Sequence, residues 1–211
     1  MKKLAIIIGL LMLGGCYQNT VDSFSTFNFQ MIVKINTTYL DRAVPDQSLD
    51  FSNLNKYEEY HKNKDRIKKS QLLQFNYWID SLVLDNNQPY DPNKDLLQLD
   101  YIIYTLVFAR PIAGNENSEN PADFEPDPTI PEYELGRFTN VNIRDYYRKA
   151  HNIKEIPKEI SDQISEHILR TPYFYIKTTY GNVAGSLDKY RFPLIKANFD
   201  LNIRFTVDLK E

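Results

Sequence analysis

Side chains that could carry out chemistry are few in this 211-residue chain, and they lie far apart. There is one cysteine, Cys16, and three histidines, His61, His151 and His167. No histidine has a second histidine or a carboxylate at the spacing of a known metal motif, and Glu166-His167 lacks the second histidine, four residues away, of a zinc-protease helix. We therefore interpret the histidines as surface or capping residues. The sequence predicts no catalytic residue, no metal site and no cofactor.

Acidic residues offer a second kind of candidate, a cation site. Residues Asp91–Asp95 place oxygens at alternate positions, as at the start of a calcium loop. The sixth position is Leu96 rather than Gly, however, and the twelfth is Ile102 rather than Glu, so the calcium-binding pattern fails. We predict a turn at this segment. The acids from Glu116 to Asp127 are typical of a solvated loop.

Motifs of several enzyme classes are missing. No serine stands in a Gly-x-Ser-x-Gly elbow, and there is no glycine-rich phosphate loop. A glycosidase needs two carboxyl groups held across a sugar, which spacing alone does not reveal. An enzyme acting on glycan or peptidoglycan therefore stays open as an alternative. The basic run Lys62–Lys69 is interpreted as the solvated face of a helix rather than a site for an anionic partner.

The first 16 residues have the layout of a secretory signal. Lys2 and Lys3 precede the apolar run Leu4–Leu13, which is half the roughly 20 residues needed to span a bilayer. The segment Leu13-Gly14-Gly15-Cys16 resembles the lipobox of bacterial lipoproteins. The resemblance implies cleavage before Cys16, the lipid attachment residue, with acyl chains (diacylglycerol and palmitate) on its thiol and new amino terminus. Several acyl chains anchor a protein firmly where one would not.

This resemblance also implies a location. It places the protein in the bacterial cell envelope, held to a membrane through the lipid on Cys16. In well-studied Gram-negative lipoproteins, an Asp after the cysteine retains the protein in the inner membrane. Tyr17 stands there in this chain, so the analogy favours the outer membrane, facing the periplasm. With Cys16 acylated, no thiol remains for a disulfide, a zinc–thiolate site or cysteine catalysis.

Charge narrows the range of partners. Loss of Lys2 and Lys3 lowers the basic count from 25 to 23 against 28 acidic residues, which gives the mature chain a net charge of −5. An acidic domain without a basic groove is a poor ligand for nucleic acid. We expect no nucleic-acid partner. The expected partners are the membrane, through the anchor, and envelope proteins or glycan.

Hydrophobic periodicity predicts the elements of the mature domain. Strict alternation of apolar and polar residues is clearest at the C-terminus, where a one-residue slip would turn the whole apolar set outward. Residues 70–82 favour a strand, with a continued helix as the alternative. The predicted strands are 27–39, 70–80, 97–110, 172–180 and 195–209. The predicted helices are 53–69, 142–151 and 157–169.

These elements predict a mainly β fold. Five long strands without βαβ spacing indicate antiparallel pairing, and a β-sandwich with two or three short helices is the simplest way to bury them. The alternative is an α+β fold, a single antiparallel sheet with the helices on one face. We divide the chain into a signal peptide (1–15), a lipidated tether (16–26) and one β-rich domain (27–211). Residues 111–135, with five prolines and many acids, are expected to form a flexible loop.

These features favour a noncatalytic binding or assembly module of the envelope over two alternatives. One alternative is the glycan- or peptidoglycan-acting enzyme already mentioned. The other is a carrier that holds an apolar ligand between the sheet and the helix at 157–169.

Overall fold

Two antiparallel sheets pack face to face. The computed structural model describes residues 25–38, 47–84, 87–115, 118–153, 156–181, 183–185 and 194–209. Cys16 and the predicted signal peptide, residues 1–15, lie outside these residues. The first sheet has the strand order β1 (Thr26–Thr38), β10 (Leu194–Asp208), β3 (Ile67–Val83) and β7 (His151–Ile153). The predicted β-sandwich is confirmed.

The second sheet is built around a long central strand. Its order is β2 (Gln47–Asn53), β8 (Tyr173–Tyr180), β4 (Leu97–Pro111) and β5 (Phe124–Pro126). Strands β6 (Tyr133–Asn142) and β9 (Val183–Gly185) also pair with β4. β4 is central because its residues 104–109 are buried on both faces, as its continuous apolar run predicted.

Alternation of apolar and polar side chains sets the register of the first sheet. β10 pairs antiparallel with β1 on one side and β3 on the other, and its apolar residues from Ile195 to Val207 are almost completely buried. The core beneath it is aromatic: the Phe199 ring lies 5.1 Å from Tyr77, 5.7 Å from Phe75 and 5.7 Å from Tyr104, centroid to centroid. Burial raises the pKa of Tyr104 well above its usual value, so this tyrosine stays neutral.

Short helices connect the strands and pack against the sheets. Residues Leu54–Lys56 and Lys64–Arg66 form 3-10 turns on either side of α1 (Glu58–Asn63), where the sequence predicted one helix. α2 spans Ile143–Tyr146 and α3 spans Lys158–Ile168. α3 packs on β3 through Ile164 and Ile168, both fully buried. Pro157 caps α3 rather than opening its first turn.

The sequence prediction missed several strands. Residues 70–82 belong to β3 and are strand, but β2, β6 and the short strands β5, β7 and β9 were not predicted. Residues 111–135 are not irregular throughout: they include the 3-10 turn Pro121–Asp123, strand β5 and the start of β6. β5 forms because Phe124 is buried while its neighbours pair with β4. Among the described residues, no helix is both long enough and apolar enough to cross a membrane.

Candidate binding cleft

An aromatic cluster lies on the outer face of the second sheet, the face turned away from the core. Phe51, Phe124, Tyr173 and Tyr175 form this outer aromatic cluster above Val107 and Ala109. The ring centroids of Phe51 and Phe124 are 4.7 Å apart, and those of Phe124 and Tyr173 are 4.6 Å apart. The Tyr175 hydroxyl donates to the carbonyl of Phe124 at 2.9 Å. These contacts hold β5 and the turn before it against the sheet.

A polar cleft opens on one side of this cluster. It has a volume of about 570 Å³ and lies between the helical segment 53–64 and residues Ser118 and Glu119, with Tyr173 among its lining residues. We call it the α1 cleft. Its lining residues are Asn53, Asn55, Lys56, Glu58, His61, Lys64, Ser118, Glu119 and Tyr173.

The wall carrying α1 is fixed from below by buried side chains. Leu54 is fully buried, and its N–H donates to the carbonyl of Pro172 at 2.9 Å, which ties the wall to the start of β8. Tyr60 is also buried and meets Phe205 edge to face at 5.4 Å. Asn53 caps the first turn, since its side-chain oxygen accepts the N–H of Asn55 at 2.9 Å. The cleft residues between these anchors therefore have a defined backbone.

The opposite wall is a chain of local hydrogen bonds. The Asn120 side chain accepts the N–H of Ala122 at 3.2 Å, and the Ser118 hydroxyl donates to the Asp123 carboxylate. The carbonyl of Asp123 accepts the N–H of Ile112 at 2.8 Å. Asx and Ser side chains commonly stabilise turns in this way. These hydrogen bonds define the backbone turns of residues 118–123 beside the cleft.

Charges of both signs line the cleft. Lys56, Glu58 and Lys64 belong to the helical wall, and Glu119 belongs to the opposite wall. The Lys62 ammonium hydrogen-bonds Glu58 and lowers the pKa of that carboxyl, so Glu58 is ionised at neutral pH. A general acid for glycoside cleavage needs the opposite shift, a raised pKa. Glu58 is therefore suited to accepting hydrogen bonds or attracting a cation.

The other polar groups of the cleft can bind a ligand with many hydroxyl or amide groups. The amide nitrogen of Asn55 lies 3.4 Å from the Tyr173 hydroxyl, and Asn53, although only 4% exposed, contributes to the lining. Amide side chains offer donors and an acceptor together, and a tyrosine adds an apolar ring with a polar tip. This combination suits a sugar or a peptide more than an apolar molecule.

A second hollow lies on the other side of the outer aromatic cluster. It has a volume of about 480 Å³ and is lined by residues of β1, β2 and the 3-10 turn Pro121–Asp123, together with Tyr175. Lys34 and Asp50 are its charged lining residues. Its lining is less varied in hydrogen-bonding groups than that of the α1 cleft, so the latter is the stronger candidate site.

The histidines considered from sequence belong to three different elements. His61 lines the α1 cleft. His167 lies in α3, with its ring 5.3 Å from Phe108 and 5.9 Å from Tyr133. The backbone of His151 belongs to β7. Within the described ranges, no three His, Cys, Asp or Glu side chains are grouped as a metal site would require.

The predicted turn at Asp91–Asp95 is confirmed. The N–H of Asn93 donates to the Asp91 side chain at 2.9 Å, and the Asp95 carboxylate accepts the N–H of Asp91 at 2.7 Å. The first of these hydrogen bonds is the main reason that the pKa of Asp91 is lowered. The oxygens that resembled a calcium loop therefore serve the turn itself.

Sequence reasoning did not find the residues that matter most in the cleft. Tyr173 stands 118 residues after Asn55 and 120 residues after Asn53, and it meets them only because β2 pairs with β8. The spacing of Asn53 and Asn55 signals a turn, which many loops share. No local pattern indicated that Tyr173 would lie beside them.

Comparison with known proteins adds no relative by sequence. No family model and no curated protein matches the chain. The fold is similar to a structure of Desmodium yellow mottle tymovirus, with 11% identity, a TM-score of 0.28, and coverage of 88% of this chain and 84% of that one. It is also similar to apo chimpanzee polyomavirus VP1, with 8% identity, a TM-score of 0.32, and coverage of 87% and 95%. At these scores the likeness carries no argument about function.

Proposed function

We propose that this chain is a lipid-anchored protein of the bacterial envelope that binds a polar ligand, without catalysis, in the α1 cleft. The anchor is the lipid on Cys16, and the proposed location is the outer membrane, facing the periplasm. The α1 cleft is the observation that carries the binding role. It combines a tyrosine, two amides and charges of both signs on a wall fixed by Leu54 and Tyr60.

The ligand class we favour is envelope glycan, and peptidoglycan in particular. Sugar hydroxyls and acetamido groups match the amide of Asn55, and a sugar face matches the Tyr173 ring. The peptide stems of peptidoglycan carry carboxylate groups, which match Lys64, and amino groups, which match Glu58. An envelope protein that presents the same groups is the alternative partner.

A glycan-acting enzyme is the second candidate function, because Glu58 and Glu119 line the same cleft. The lowered pKa of Glu58 favours binding over acid catalysis. The alternative that the protein carries an apolar ligand has less support than either of these functions. The helix proposed to cover its ligand is already packed, with Ile164 and Ile168 fully buried.

Co-sedimentation with purified peptidoglycan sacculi tests the proposal. The full-length protein in mild detergent should pellet with the sacculi. Lys64→Ala and Asn55→Ala should each weaken binding about tenfold, the loss expected for roughly 1.4 kcal/mol. Lys69→Ala is the matched control, because Lys69 is an exposed lysine of the same basic run outside the cleft lining.

The same samples separate binding from catalysis. Soluble fragments released by the wild type, but not by Glu58→Gln or Glu119→Gln, would favour the enzyme. Binding without release is the result we expect. Equal binding by Lys64→Ala and Lys69→Ala, or no binding by the wild type, would contradict a glycan-binding role for the cleft.

A further inference from the structure

Strand β1 lies at an edge of the first sheet. It pairs with β10 along all 13 residues without a bulge. On its other side, the N–H of Lys34 donates to the Tyr57 hydroxyl at 3.0 Å. Because backbone groups two residues apart point the same way in a regular strand, those of Asn28, Gln30 and Ile32 also point away from β10. In the part of the chain that the structure describes, these outward groups have no hydrogen-bond partner.

Only part of this side of β1 lacks a partner among the described residues. From Lys34 onward, this side of β1 is partly occupied: the Tyr57 hydroxyl accepts the N–H of Lys34, and residues 34–36 line the hollow that β1 shares with β2. No described residue bonds the outward backbone groups of the preceding eight residues, Thr26–Val33. We call this stretch the open edge.

The open edge lacks the features that usually prevent strand pairing. Its sequence, TFNFQMIV, contains no charge, no proline and no glycine. Protein edge strands are commonly protected by lysine, proline or a bulge. The Ile32 side chain is 48% exposed on the outer face of the sheet, and Phe27 is 36% exposed on the opposite face. Backbone and side chains together form a template for another strand.

We propose that the open edge pairs antiparallel with the same edge of a second copy of this chain. The pairing would join two four-stranded sheets into one sheet of eight. A second copy is the fitting partner because the edge is self-complementary: two uncharged stretches meet with no like charges opposed. The two-fold register that uses most of the open edge places Gln30 opposite Gln30 and Asn28 opposite Ile32 of the other copy.

Anchoring would strengthen this interface, and this step rests on the proposed function. β1 begins ten residues after Cys16. Two lipid-anchored copies would therefore hold their open edges at similar heights above one membrane, which raises their effective concentration. A single strand pair about 27 Å long is a narrow contact, so we expect pairing to be stronger in membranes than in dilute detergent.

Cysteine cross-linking in membranes tests the pairing. Opposed residues of an antiparallel pair have Cα atoms about 5.5 Å apart, within disulfide range. Full-length Gln30→Cys should give a disulfide-linked dimer on mild oxidation. Gln71→Cys is the matched control: Gln71 is exposed on the same face, and it lies in the same cross-strand row because both glutamines oppose Arg204. It should give no dimer.

Substitutions that block the open edge form the second part of the test. Adding Ile32→Pro to Gln30→Cys removes an outward N–H that does not bond β10, so the fold should persist. The amount of disulfide-linked dimer should fall about tenfold. Ile32→Lys keeps every backbone group and should have the same effect, because a charged lysine on an edge strand opposes pairing with another strand. Circular dichroism checks that both variants fold.

Two results would overturn the proposal. One is a dimer equally abundant for Gln30→Cys and Gln71→Cys, and the other is no dimer for Gln30→Cys. Fatty-acid labelling of the same samples reports separately on the anchor. A Gln30→Cys dimer in protein that takes up no fatty-acid label would support the edge pairing and contradict the lipid anchor. Labelled protein that forms no dimer would support the lipid anchor and contradict the edge pairing.

Discussion

Replacing Phe199 by alanine should destabilise the protein by about 4 kcal/mol, within the 3–5 kcal/mol typical of a buried phenylalanine. Phe199 is completely buried near the middle of β10. Its ring contacts those of Phe75, Tyr77 and Tyr104, which come from both sheets. Truncation removes these contacts and leaves a cavity that rigid neighbouring strands cannot fill. The loss is large against a total stability of about 5–15 kcal/mol.

Asn198→Ala is the matched control, one residue away on the opposite face. Asn198 is only partly buried and lies between Asn36 and Trp78 of the neighbouring strands. Its removal should change stability by roughly 0.5 kcal/mol or less. Urea unfolding followed by tryptophan fluorescence gives both midpoints, since Trp78 is the single tryptophan. Equal midpoints for the two variants would refute the assignment of Phe199 to a tightly packed core.

Three further perturbations test other parts of the molecule. Cys16→Ser should abolish incorporation of a fatty-acid probe, and continued labelling would contradict the lipobox assignment. A Glu-specific protease should cut after Glu119, which is exposed outside the strands, before Glu134, which lies within β6; the reverse order would contradict the pairing of β6 with β4. Burial raises the pKa of Tyr60 to about 12, so above pH 10 the unfolded state ionises first and stability should fall as the pH approaches 12. Tyr60→Phe should lessen that fall, and identical pH profiles of melting temperature would show that Tyr60 is not buried.

Long, regular alternation made much of the fold predictable. β10 alternates between fully buried residues on its inner face and more exposed, mostly polar residues on its outer face, and β1 shows the same contrast from Met31 to Asn36. The residue types of these strands therefore indicate which face each side chain occupies. β4 was predictable for the opposite reason, because burial on both faces gives a continuous apolar run. Residues 70–82 were harder to assign, since aromatic and polar residues there also fit a helix. They form a strand because β10 and β7 pair with both sides of β3.

Elements whose stability comes from distant contacts were not predictable. β5 is three residues long, and its single buried side chain, Phe124, has rings from β2 and β8 as neighbours. The prolines around it suggested a flexible loop, because no local pattern shows that Phe124 meets Phe51. The α1 cleft has the same origin: its walls come from segments about 60 residues apart, brought together by the pairing of β2, β8 and β4.

The central claim is that this sandwich is held at the envelope membrane by lipid on Cys16. Intact-mass measurement of the full-length gene product, extracted from bacterial membranes, tests it most directly. We predict a chain that begins at Cys16 and carries the additional mass of acyl chains. A chain that retains residues 1–15, or a mature chain with an unmodified thiol at Cys16, would contradict the claim.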